Sequence, residues 1–419
     1  MSGEDFLDGR VTLRTGDSRD VLRTIADASI DSVVTDPPYA LVSIGKRFGK
    51  AGAAPAKHGA DGLYARASAG FMGQSWDTGE TAFAVEFWAE VLRVLKPGGH
   101  LVAFSGTRTY HWMACAIEDA GFEIRDQIGW LYGSGFPKSH DVSKAIDKAL
   151  GYERRKVRYA ARPATSGSMA GSADTRPWIV KSRESGFHEA ASDEAASDEA
   201  AEWIGWGTAL KPAWEPIVLA RKPLVGTIAA NVLAHRTGGL AIDATRVGTA
   251  LRSRSTGEKI SENSSMSGGN YSREFDGFVE GRWPANIVHD GSDDVVDAFP
   301  VDGVETAARF FYSAKADAHD RVSSKHPTVK PVALMQWLCR LVTPKGGVVL
   351  DPFAGSGTTG EAAWREGFRA VLIEREPRYA EDIRRRLRLA ARPAERAAVA
   401  KAKGRVAEDH GPLFGGGAS

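Results

Sequence analysis

Apolar positions along this chain follow two periods, near 2 and near 3.6, and both are clearest toward its two ends. Val11–Thr15 spells a short strand and Arg19–Ile25 a short helix. Ile30–Thr35 spells a buried strand, stopped by Asp36-Pro37-Pro38 because proline has no N–H to continue a ladder. From Phe83 to Lys96 the apolar residues Val85, Trp88, Val91, Leu92 and Leu95 fall at helical spacing, and Lys96-Pro97-Gly98-Gly99 ends the run. Leu101–Ser105 predicts another buried strand, followed by a helix to about Ala120 and an extended segment over Phe122–Tyr132. Later, Val332–Leu341, Thr358–Glu366 and Tyr379–Leu389 predict helices, interleaved with strands at Val348–Leu350 and Ala370–Ile373. Strands alternating with helices predict an α/β domain, a parallel sheet covered on both faces.

The middle is different. Arg162 to Glu202 is rich in Ala, Ser, Gly and charge and carries the near-repeat Glu189-Ala-Ala-Ser-Asp-Glu194-Ala-Ala-Ser-Asp, which predicts a disordered or loosely helical insert at about 162–202. Trp203 to about Arg321 is Gly/Pro-rich with scattered aromatics and no strong period, the pattern of loops over the ligand edge of a sheet. Residues after Arg392 read as a flexible tail.

Composition narrows the class without naming it. With 419 residues, 42% hydrophobic and 26% charged, the balance is that of an ordinary soluble protein. No apolar run approaches the roughly 18 residues of a membrane helix, and the polar, acidic start is unlike a signal peptide. Two cysteines, Cys115 and Cys339, lie far apart in apolar helical patterns, which speaks against a disulfide framework or cysteine zinc site and suits a cytoplasmic location. Net charge is +1, but basic residues cluster at Arg154, Arg155, Lys156, Arg158, Arg162, Arg176, Lys181 and Arg183, and again at Arg384, Arg385, Arg386, Arg388, Arg392 and Arg396. Such clusters are phosphate contacts or solvated faces.

Two segments carry chemistry. Val348-Val-Leu-Asp351-Pro-Phe353-Ala-Gly355-Ser356-Gly357-Thr358-Thr-Gly360 is a strand, a glycine turn and a helix start, and Glu374 closes the next strand where a carboxylate can accept from ribose hydroxyls. Taken alone, this loop fits any adenosine-bearing cofactor, a nicotinamide dinucleotide included. Asp36-Pro37-Pro38-Tyr39 sits at the C-terminal end of a buried strand, where open α/β sheets bind ligands. A ring amine is a poor nucleophile because its lone pair is delocalised. A carboxylate accepting one N–H and a backbone carbonyl accepting the other would localise that pair and aim it. Asp36 supplies the carboxylate, Pro38 a rigid carbonyl and Tyr39 a ring to stack on a base. A plain strand-ending turn is the alternative.

In this order the segments resemble the DNA amino-methyltransferase family, beta class, and its phage and prophage members. Gly16-Asp17 ahead of the tetrad, Trp76-Asp77 after Phe71-Met-Gly-Gln-Ser, Gly205-Trp-Gly-Thr-Ala-Leu-Lys-Pro-Ala213, Gly238-Gly239-Leu-Ala-Ile-Asp243, Phe310-Phe-Tyr-Ser-Ala-Lys315, His326-Pro327-Thr328-Val329-Lys330-Pro331, the loop from Asp351 and Ile373-Glu374-x-x-Pro377-x-Tyr379 all match. The resemblance covers roughly residues 10–390. It implies a Rossmann-like S-adenosylmethionine-dependent fold, a seven-stranded mostly parallel sheet in circularly permuted order with a loop-rich target-recognition insertion. Residues 1–135 would form the catalytic half, 136–325 the target-recognition region, 326–391 the cofactor half and 392–419 the tail. It assigns catalysis to Asp36, Pro37, Pro38 and Tyr39. Cofactor contacts fall to Asp17 (adenine), Lys330 (beside the methionine end), Asp351, Phe353, Gly355, Ser356, Gly357, Thr358 and Glu374 (ribose); no metal is implied. The implied substrate is a flipped-out DNA base, adenine N6 ahead of cytosine N4 because aspartate leads the tetrad. Lys138, Arg154, Arg155, Lys211 and Arg254 are candidate DNA contacts. The resemblance leaves open a homodimer, a cognate restriction enzyme, a non-catalytic DNA-binding relative, and an RNA or protein-amine substrate.

Overall fold

The computed structural model describes residues 3–39, 81–133, 135, 139–160, 187–255, 275–302, 305–314, 320, 322, 324, 329–392 and 395. Trp76-Asp77, Lys138, Lys315, His326-Pro327-Thr328, residues 162–186 of the insert and the tail beyond 395 lie outside them. The chain divides into two compact units, one of residues 1–133 with 214–419 and one of residues 134–213.

The larger unit is built on one sheet. Its strands in chain order are β1 (Glu4–Phe6), β2 (Val11–Thr15), β3 (Ile30–Thr35), β4 (Leu95–Phe104), β5 (Glu123–Leu131), β6 (Trp214–Arg221), β7 (Ile287–His289), β8 (Tyr312–Ser313), β9 (Val348–Asp351) and β10 (Arg369–Glu374). Across the sheet the order is β1-β2-β10-β9-β3-β4-β6-β5-β7-β8. All run parallel except β1, antiparallel to β2, and β6, antiparallel to both β4 and β5. Two expectations are corrected here. Among the described residues the sheet has ten strands rather than seven. A hairpin through Leu7 and Asp8, both at positive φ, adds β1, and β7 and β8 are too short to show a period. The stretch expected to be loops from Trp203 onward also contributes β6, an interior strand.

Period-2 alternation sorts the sheet's side chains onto two cores. Val34, Val102, Phe104, Ile217, Leu219, Val349 and Leu372 meet the helices Val332–Val342, Thr358–Arg365 and Pro377–Ala390. Their neighbours Val33, Leu101, Ala103, Val218, Ala220, Leu350 and Ile373 meet Ser18–Leu22, Val85–Val94 and Tyr110–Asp119. Each fully buried Leu or Val contributes about 1.5–3 kcal/mol, so these two layers carry most of the stability. Helix Val85–Val94 stops at Leu95, and Lys96-Pro-Gly-Gly forms the irregular start of β4.

In the smaller unit, helix Val142–Leu150 lies with the hairpin Lys156–Ala160/Phe187–Ala191 and the short helix Asp198–Ala201. Residues 187–202, expected to be disordered or loosely helical, are ordered by buried Asp147, which accepts from Arg154 Nε (2.5 Å), Ser197 Oγ (2.7 Å) and Ala196 N (3.0 Å).

Candidate active site

Because the strands run parallel, their C-terminal ends collect at one edge, and the chemistry-bearing residues sit there. Asp17 follows β2, Asp36 follows β3, Asp351 ends β9 and Glu374 ends β10. Antiparallel β6 begins at this same edge and brings Glu215, whose partner across the ladder is Trp130.

Three side chains converge on Lys330. Its Nζ lies 2.8 Å from Asp36 Oδ2, 3.1 Å from Glu215 Oε2 and 3.0 Å from the Tyr39 hydroxyl. That hydroxyl is 2.8 Å from Asp36 Oδ1 and 2.9 Å from Glu215 Oε2, and it has one proton to share between them. Lys330 is 6% exposed, Asp36 18% and Glu215 19%, so the carboxylates open outward and the ammonium is sealed beneath them. The rings of Phe104, Tyr39 and Trp130 surround Nζ at 4.8, 5.3 and 5.9 Å from their centroids, a cation–π environment. Burial disfavours the Lys330 charge, but Asp36 and Glu215 outweigh it and hold its pKa above the ordinary lysine range. Burial, joined by the same two carboxylates, raises the Tyr39 pKa well above the phenolic range, so the hydroxyl keeps its proton. Pro37 is buried, and Thr109 Oγ1 donates to the Tyr39 carbonyl at 2.8 Å, which fixes the end of the tetrad.

The glycine loop lies one strand away. Asp351 accepts from Thr35 Oγ1 (2.7 Å), Thr359 Oγ1 (2.5 Å) and Phe353 N (3.1 Å). It therefore braces the loop against the residue just before Asp36. Burial pushes its carboxyl up to about 6 despite these donors. Glu374 accepts from Gly355 N and Glu376 N, both at 2.8 Å, and burial raises it to about 7. Gly355 and Gly357 are at positive φ, and a Cβ on Gly357 would meet Ile383 at 3.0 Å, so glycine is required there twice over. The Phe353 ring packs 5.1 Å from Phe87, and the Ser356 and Thr358 hydroxyls lie 3.1 Å apart. Asp17 caps the helix Ser18–Leu22 and is gripped by Arg19 at 2.8 and 3.0 Å; that bond comes first in lowering its pKa. Each Glu374 oxygen keeps an acceptor position beyond its backbone bond, and the loop offers close backbone approach, so this donor and acceptor set fits an adenosine ribose.

Lys330, expected beside the cofactor's methionine end, is brought to Asp36. Glu215 was missed, being a single acid in a Gly/Pro-rich stretch; its signal was the apolar run Ile217–Ala220 just after it. Among the candidate DNA contacts, the Arg154 side chain is buried in its pair with Asp147, and in the C-terminal basic cluster Arg386 is fully buried, so neither side chain is open to a phosphate. Arg155 and Lys211 are exposed.

The model of the N6/N4 methyltransferase family, described as DNA methylase, matches residues 30–385. The chain belongs to this family of DNA methylases, whose cofactor is S-adenosylmethionine. It is similar to a type II methyltransferase of Streptococcus pneumoniae, M2.DpnII, at 43% identity over 68 residues, 16% of this chain and 25% of that protein. It is also similar to the type II methyltransferase M.HindIII of Haemophilus influenzae, at 25% identity over 283 residues, 67% of this chain and 60% of that protein. The chain thus spans a quarter of the first relative's length and 60% of the second's. A solved structure of PvuII DNA methyltransferase, cytosine-N4-specific, aligns at TM-score 0.41 and 13% identity over 97% of this chain and 96% of that one. Among the described residues no helix is long and apolar enough to cross a membrane.

Proposed function

We propose that this chain methylates DNA site-specifically, on the exocyclic N6 of a flipped-out adenine. The observation that carries the reading is the adjacency of Asp36 to the glycine loop, through the bond of Thr35 to Asp351. Bound S-adenosylmethionine supplies an electrophilic methyl group. Asp36 accepts one N–H of the target amine and the Pro38 carbonyl the other, which localises the nitrogen lone pair; Tyr39 stacks on the base. Asp36 is also placed to hold the proton that the nitrogen sheds. Adenine is preferred to cytosine because aspartate leads the tetrad, as the family resemblance implies. Target reading is assigned to the variable middle, approximately residues 135–325.

The test is expression in a host free of DNA methylation, followed by modification-detecting sequencing. N6-methyladenine at one recurring sequence is expected. N4-methylcytosine would overturn the base assignment, and no modified base at any site would overturn the enzymatic reading in favour of a DNA-binding or RNA-directed relative.

A second expectation concerns Glu374 as the acceptor of ribose hydroxyls. Its carboxyl is raised to about 7, so the protonated form gains population as pH falls through that value. Ribose binding favours the carboxylate, so the cofactor binds tightest above pH 7. Affinity falls as pH drops below 7, by up to about tenfold per unit. Calorimetric titration of S-adenosylmethionine from pH 6 to 8.5 should show this slope, and Glu374→Gln should flatten it.

A further inference from the structure

We infer that Glu215 is a positioning residue for the transfer reaction, drawing Lys330 and the Tyr39 hydroxyl away from Asp36 so that Asp36 can accept the target amine. The inference rests on the reading of Asp36 as the amine acceptor. Both Asp36 oxygens are engaged in this structure, Oδ1 by the Tyr39 hydroxyl and Oδ2 by Lys330. Each Asp36 oxygen keeps one further acceptor position, and the bond it can make to an arriving amine weakens with the donor already held there. Both donors already lie within reach of a single Glu215 atom, Oε2, at 2.9 and 3.1 Å. Their shift to Glu215 therefore leaves neither a buried ammonium nor a buried hydroxyl without an acceptor.

Among the described residues no other carboxylate pairs with Lys330. The remaining contacts of Nζ are the ring faces of Phe104, Tyr39 and Trp130, which stabilise a cation but do not replace a counter-charge. Glu215 is held in place by the ladder, opposite Trp130 and beside Pro216, whose carbonyl accepts from Ser105 N at 2.9 Å. Without its charge, Lys330 closes onto Asp36 as an ion pair and weakens the acceptor. The second carboxylate thus acts through the lysine, with no contact to the base required.

The experiment measures single-turnover methyl transfer and S-adenosylmethionine affinity for Glu215→Gln, Lys330→Met and the double variant, with Asp36→Ala in parallel. Glu215→Gln is expected to lower the transfer rate about 10- to 100-fold, the scale of a misplaced reactive group, with cofactor affinity within about twofold of the parent. The double variant is expected to transfer at least as fast as Glu215→Gln alone, since without the ammonium Asp36 is no longer weakened as an acceptor. Glu215→Asp, which keeps the charge, is expected to recover part of the rate. A parental rate in Glu215→Gln, losses that multiply in the double variant, or cofactor affinity falling in step with rate would each overturn the proposal. Turnover retained in Asp36→Ala would instead overturn the reading on which it rests. A dead Asp36→Ala beside a fully active Glu215→Gln would overturn only the role of Glu215.

Discussion

Asp36→Ala is expected to reduce methyl transfer by about a thousandfold or more, the scale of removing a preorganised polar partner from a reacting centre. Cofactor affinity is expected to stay close to the parent's. The residues assigned to the cofactor are held by other bonds: Glu374 by Gly355 and Glu376, and Asp351 by Thr35, Thr359 and Phe353. The fold is expected to survive as well, since Lys330 keeps Glu215 at 3.1 Å and is not left as an orphan charge. Tritiated-methyl transfer measured beside calorimetric cofactor binding separates the two effects. Substantial turnover in the variant would remove Asp36 from the chemistry, and loss of cofactor binding would make its role structural.

The second large effect belongs to Arg386. It is fully buried, as is its partner Glu361, 2.8 Å away. Its Nε donates to the Ser356 carbonyl at 2.7 Å and its Nη2 to the Asp320 carbonyl. One guanidinium thereby ties the glycine loop to Asp320. Breaking a buried ion pair from one side costs about 3–5 kcal/mol. Arg386→Met is expected to lower the urea midpoint accordingly and to weaken S-adenosylmethionine binding through the loosened Ser356 carbonyl. Glu361 keeps Arg365 at 2.7 Å in that variant, and replacing Glu361 with Met as well removes the half-paired buried carboxylate and is expected to restore part of the stability but not the loop geometry. An unchanged midpoint in the single variant would show that the pair stabilises nothing.

Arg386 also shows what the sequence made legible and what it did not. Read as charge, it belongs to a basic cluster on a solvated helix. Read as position, it joins Ile383, Leu387 and Ala390 at i, i+3, i+4 and i+7 spacing, and all four are among the buried residues of Pro377–Ala390. The periodicity was present; the charge masked it. The strands and helices near the two ends were legible because each carries its own period. So was the tetrad, because two prolines after a buried strand leave little else for the backbone to do. Glu215 was illegible because its role depends on pairing with a strand far away in sequence. The order of residues 187–202 was hidden for a similar reason. It depends on Asp147, a partner that local composition cannot reveal.

The pairing of β3 with β9, Val349 against Ser32 and Leu350 against Val33, joins segments from opposite ends of the chain. A ribosome making this protein releases the strand that carries the tetrad long before the strand that must lie beside it exists. Until β9 and β10 emerge, the nascent chain holds Asp36 with no glycine loop next to it. Closing so long a loop also places this pairing among the slower events of folding. Only a polypeptide synthesised through Glu374 brings Asp36 beside the glycine loop, so the proposed methyl transfer requires both segments.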